Sequence, residues 1–155
     1  MAVTNVNTST FVKDATLFIR DILKTNVTDP ILSKRASGEK FVMTSYPKIN
    51  VTYPIITIQM SDFSSPQRLG MQSTYHYFTL TMEARIWAKD VSQRDDLSQD
   101  VENELRKIEF LATGTVLANL YAFSVVSATN VDEDDGEAST RSRVLTIEYK
   151  TVLGG

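Results

Sequence analysis

At 155 residues, with 42% apolar and 23% charged side chains, the chain has the composition of one ordinary globular domain. A formal net charge of −3 runs against a general nucleic-acid binder, whose electrostatic footprint is normally basic. The absence of cysteine excludes disulfides and thiolate metal sites.

The opening stretch MAVTNVNTST has neither a basic n-region nor an apolar h-region, and residues 1–8 read as a loose polar arm. No apolar run reaches membrane-spanning length, so the expectation is a chain made and folded in a cytoplasm, with no membrane partner. Ser9 or Thr10 can cap a helix running to about Lys24, with Phe11, Ala15, Phe18, Ile19, Ile22 and Leu23 as its apolar stripe. The pattern then stops. Asp29-Pro30 and Ser37-Gly38 mark turns in a loop whose Lys34, Arg35 and Lys40 read as solvated charges.

Phe41 to Tyr46 reads as a strand ended by Pro47. A second strand follows Tyr53-Pro54, with Ile56, Ile58 and Met60 on one face and Ile55, Thr57 and Gln59 on the other. Ser61 to Ser73 is too long for a tight hairpin and carries Phe63, Pro66, Arg68, Leu69 and Met71. From Thr74 to Ala88 the chain alternates over its whole length. His76, Phe78, Leu80, Met82, Ala84 and Ile86 lie on an apolar face, and Tyr75, Tyr77, Thr79, Thr81, Glu83, Arg85 and Trp87 lie on a mixed one. At ~3.3 Å per residue such a strand spans roughly 45 Å, more than twice a typical one. Either it bends at a bulge or one end projects towards another chain.

Ser92 and Asp95 form a variant capping box before a helix with the stripe Leu97, Val101, Leu105, Ile108 and Leu111, stopped by Gly114. That stripe is the intrachain candidate for covering the mixed face of the long strand. Thr115 to Leu120 reads as a short helical turn, and Phe123–Thr129 and Arg143–Val152 as two further strands. The polar connection between these strands carries Asp132, Glu133, Asp134, Asp135 and Glu137, with Gly136 at its tip. The order helix, strands, helix, strands predicts a single α+β domain over residues 1–155. Its sheet is mixed or mainly antiparallel, has one long strand, and is flanked by two main helices.

The residues offer little chemistry. His76 is the only histidine and falls on the apolar face. No nucleophile elbow, P-loop or dinucleotide fingerprint occurs, and the acidic run lacks the spacing of a calcium loop. The expectation is a protein that is not an enzyme and holds no cofactor or metal. Instead, the over-long strand and the apolar side chains beside it suggest a subunit interface formed by Phe63, Pro66, Arg68, Leu69, Met71, Tyr75, Tyr77 and Trp87.

Several segments, taken in order, resemble the tail-terminator proteins of long-tailed bacterial viruses, also called tail-completion or head-to-tail joining proteins. They are the amphipathic first helix, Tyr53-Pro54-Ile55-Ile56 opening a strand, and Arg68-Leu69-Gly70 in the next loop. After these come the long strand ending Arg85-Ile86-Trp87-Ala88, Arg94-Asp95 with Leu97 opening the second helix, and a final hairpin with an acidic turn. The resemblance runs roughly from Phe11 to Val152 and implies a structural virion protein at the tail–neck junction. It implies a homo-oligomer, a hexameric ring that caps the tail-tube protein, ends tube polymerisation and meets a neck or head-completion protein. DNA would pass through the ring without sequence-specific binding. In such a ring the acidic residues at 132–137 have two expected places, the channel or its rim, and a solvated outer hairpin. Two alternatives stay open: another neck or tail-tube adaptor, or a cytoplasmic ligand-binding or regulatory α+β domain.

Overall fold

A computed structural model describes residues 10–47, 51–63, 67–68, 75–109, 121–135 and 138–154. In chain order the elements are α1 (Phe11–Asn26), β1 (Val42–Met43), β2 (Ile55–Phe63), β3 (Gln67–Arg68), β4 (Tyr75–Ala88), α2 (Val91–Glu109), β5 (Tyr121–Asp135) and β6 (Ala138–Gly154). The sheet order is β1-β2-β4-β6-β5, and β3 pairs with β4 beyond the end of β2. Only β1 and β2 run parallel. The domain is a small α+β unit with a mixed sheet and two main helices, as the element order predicts.

Both helices lie on one face of the sheet. Ala15, Phe18, Ile19 and Leu23 of α1 and Leu97, Val101, Leu105 and Ile108 of α2 share a core with Ile56, Ile58, Leu80, Met82, Ala84, Ile86, Leu145, Ile147 and Tyr149. The strand residues in that core recur every second position, so one pleated face is dry. The Tyr149 hydroxyl, buried there, donates to Met82 Sδ, and burial pushes its ionisation well above the ordinary range. The α2 stripe therefore covers the even-numbered face of β4, not the face with Trp87. The intrachain expectation for the mixed face is corrected accordingly.

Alternation holds better than the sequence-derived boundaries. β4 pairs with β6 at all fourteen of its residues without a register shift, so the long strand does not break at a bulge. The bulge sits in β2 instead, between Met60 and Asp62. β1 shrinks to two residues because only Val42 and Met43 find partners, Ile56 and Thr57. Ser61 to Phe63 continue β2, and Gln67 and Arg68 form β3, so part of the expected loop is strand. The last hairpin is longer as well. Asp132 to Asp135 pair with Arg141 to Ala138, which makes most of the acidic connection strand and leaves only residues 136–137 between β5 and β6.

Helix α2 starts one residue before Ser92. Asp90 Oδ1 accepts the Gln93 N–H at 2.8 Å, and Gln93 Oε1 accepts the Lys89 N–H at 3.3 Å. The cap is thus built on Asp90, with Gln93 reaching back one residue further to Lys89, and not on Ser92 and Asp95. Thr10 occupies the position before α1, but its hydroxyl donates to Asp14 rather than capping a backbone N–H. Leu111, Gly114 and the expected turn at 115–120 lie outside the described residues.

Candidate functional site

The face of the sheet away from the helices carries Thr79, Thr81, Glu83, Arg85 and Trp87 of β4 beside Val144, Thr146, Glu148 and Lys150 of β6. All nine are half-buried. Among the described residues no helix lies over them. One corner has a cover of its own, because the Tyr46 ring meets Trp87 at 4.9 Å and 58°. Its hydroxyl shares a 2.6 Å hydrogen bond with Tyr53. Burial, followed by that bond, pushes the Tyr46 phenol up to about 12. Trp87 Nε1 donates to Thr57 Oγ1 at 3.0 Å, and the Arg85 guanidinium stacks 3.9 Å from the Trp87 ring while donating to Ser142 Oγ. Of the interface residues expected from sequence, Trp87 is therefore partly covered within its own chain.

Tyr53, the hydrogen-bond partner of Tyr46, sits between the two carbonyls gripped by Arg35. The Arg35 Nε and Nη2 grip the two carboxylate oxygens of Asp29 at 2.6 and 3.0 Å, while Nη1 donates to the Thr52 carbonyl at 2.9 Å and Nη2 also to that of Pro54 at 2.7 Å. Both side chains of the pair are under a tenth exposed, and the guanidinium also lies 5.5 Å from the Phe41 ring centre. Burial alone would raise the Asp29 carboxyl. The Arg35 hydrogen bonds, the Ile31 N–H and the Arg35 charge outweigh it and hold the pKa below 3.8. Arg35 is thus a buried clamp joining the stretch after α1 to the entry of β2, and the expectation of a solvated charge is corrected. An Asp six residues before an Arg is no recognised motif, so only the fold identifies the pair.

A second clamp joins α2 to the final hairpin. Arg94 is buried and pairs with Asp95 at 3.1 Å and with Asp132 at 2.9 Å. Arg143 donates to Asp95 at 2.7 Å, to Ser98 at 2.8 Å and to Asn130 at 2.7 Å. Asp132, expected in a free acidic tip, is instead a strand residue that braces the hairpin. The side chains of Glu133, Asp134, Asp135 and Glu137 lie outside the described residues.

Among the described residues the sheet also runs past its helical cover. Met60 points to the helix face yet is 40% exposed, whereas Met82 beside it is fully buried. Ser61 and Asp62 are exposed. The backbones of Tyr75, His76 and Tyr77 pair with Gly154, Leu153 and Val152, so β4 and β6 continue beyond this point. Pairing places the backbones of Phe63, Arg68, Tyr75 and Tyr77 at this same end. Their side chains, and Pro66, Leu69 and Met71 as a whole, lie outside the described residues. Among the described residues, backbone edges stay open on both sides of the sheet. Among the described residues nothing pairs with the outer edge of β5, where Ser127 to Asn130 are exposed and Val126 is 50% exposed. The outer edge of β2 past Thr57 is open on the far side. Bulges near Tyr121–Ser124 and Val125–Ser127, with Ala122 at φ 52°, bend the start of β5.

Among the described residues no three His, Cys, Asp or Glu side chains group as a metal site, and no helix is long and apolar enough to cross a membrane. No family model matches the chain, and no curated protein matches it in sequence.

Proposed function

We propose that the chain is a structural subunit that closes head to tail into a ring, in the manner of the tail-terminator proteins its segments resemble. The observation that carries this reading is a sheet that, among the described residues, extends beyond its own helical layer between two unlike edges. A 14-residue strand is fully laddered to its neighbour at an end where Met60 is exposed. The edges differ in kind: β5 is long, while the outer half of β2 is short and bulged. One edge meeting its own copy makes a two-fold contact; the two unlike edges meeting each other make a heterologous contact, which closes when the rotation divides the circle. In this reading the ring caps a tail tube, stops its growth and meets a neck protein, leaving a passage for DNA. Asp132 serves as a brace rather than as a channel charge.

The test is native mass together with electron microscopy of the purified chain. The expected result is a closed ring several times the mass of the chain, and a folded monomer for Met60→Asp or Val126→Asp. A wild-type protein that stays monomeric at micromolar concentration overturns the proposal. So does a ring that survives both substitutions.

A further inference from the structure

We propose that neighbouring copies join by continuing the sheet: the outer edge of β1 in one copy lies antiparallel on β5 of the next, with Val42 opposite Asn130. This contact rests on the ring reading above and is the one that closes the ring. Residues of a strand turn their N–H and C=O groups to alternate sides. The Ile56 N–H bonds the Phe41 carbonyl, so Ile56 turns its backbone towards β1 and away from β4. Phe41 faces β2, so Val42, the next residue, faces the open side of β1. Strand pairing runs the row on through Ile56, Ile86, Arg143 and Asn130. Ile86 and Arg143 turn their backbones to each other, which leaves Asn130 facing the open side of β5. The register shifts of β2 and β5 lie outside this row. Both ends of one row therefore present an unshared N–H and C=O among the described residues.

Direction and charge agree with that pairing. β1 runs with β2, and each following pair in the order β2, β4, β6, β5 is antiparallel, so β1 and β5 run in opposite senses. A closed ring relates its copies by rotation without a rise. With the strands along the ring axis, each row meets the same row of the next copy. The register then sets Met43 beside Thr129, Thr44 beside Ala128 and Lys40 beside Asp132. Lys40 is exposed and has no carboxylate partner among the described residues, while the Asp132 side chain, although paired with Arg94, is 40% exposed. From Ser127 to Val131 β5 pairs regularly with β6 and carries no charge, without the lysine or proline that guards an exposed edge.

The chain has no cysteine, so an introduced disulfide reports the contact. Met43→Cys with Thr129→Cys sets two thiols on one face at a pair whose Cα atoms lie about 4.5 Å apart, within disulfide reach. After mild oxidation and denaturation without reductant, the double variant should run as a ladder up to the subunit number of the ring. A mixture of the two single variants should stop at dimers. Pairing Met43→Cys with Ser127→Cys or Val131→Cys, two residues off, should cut cross-linking at least about tenfold. The unsubstituted protein gives a second reading. Amide exchange at Ala128 and Asn130 should slow by about tenfold or more on assembly, while Thr129 and Val131, already bonded to β6, stay unchanged. A ring without this alternation overturns the proposal and leaves the ring reading standing. So does a ring of the double variant without the ladder. Cross-linking of Thr129→Cys to its own copy overturns it in favour of a two-fold contact between β5 edges. A chain that stays monomeric by native mass removes the ring reading, and this contact with it.

Discussion

The two faces of β4 are held by different physics. On the even face Leu80, Met82, Ala84, Ile86 and Ala88 are wholly buried, and the stabilisation comes from area removed from water. On the odd face Thr79 to Trp87 are half-buried, and the best-defined structure is a corner of named polar contacts: Trp87 to Thr57, Arg85 to Ser142, and Tyr46 laid on Trp87. Packing tolerates small shifts of one side chain because its many contacts are individually weak. A buried polar network does not, because each lost partner strands another group. The dry face should therefore lose stability in proportion to volume removed, and the open face in proportion to partners removed.

The largest expected effect is at the buried Arg35–Asp29 clamp. Arg35→Ala leaves Asp29 buried without its cation and the Thr52 and Pro54 carbonyls without donors, and should cost about 4 kcal/mol in denaturant unfolding. The same pair predicts an acid limit. The Asp29 pKa is lowered by folding, so its contribution is complete above the unfolded value near 3.8 and is lost as pH falls through the lower folded value. Arg35→Ala should remove that component of the acid transition. An unchanged acid profile would show that the pair does not carry it.

Ile86→Ala comes next. It empties a fully buried position under the helices and should cost about 3 kcal/mol, whereas Thr81→Ala, five residues earlier on the other face, should stay within about 0.5 kcal/mol. Equal losses at the two positions would mean that the open face is packed as tightly as the core, and the contrast would fail. The smallest effect is at the corner itself. Thr57→Val removes the acceptor of the Trp87 N–H and should cost about 1 kcal/mol, with a change in tryptophan emission. Trp87 is the only tryptophan, so the emission reports the surroundings of that one ring.

Residue pattern alone determined a good deal: two amphipathic helices and the long alternating strand with its apolar face Leu80, Met82, Ala84 and Ile86. Periodicity and near-neighbour spacing are local, and burial of one stripe or one pleated face follows from them directly. Strand ends were less legible. Asn130 to Asp135 look like a turn by composition, yet they pair because β6 supplies a partner at each position, and the far half of the hairpin is braced by α2. Tertiary structure alone decided which face of the sheet the helices cover and which charges become structural. Arg35 meets carbonyls 17 and 19 residues away, Arg94 meets Asp132 after 38, and Arg143 meets Asp95 after 48. Those partners are adjacent only once the sheet has formed, and a guanidinium carries no mark in sequence of whether water or a buried carboxylate will receive it.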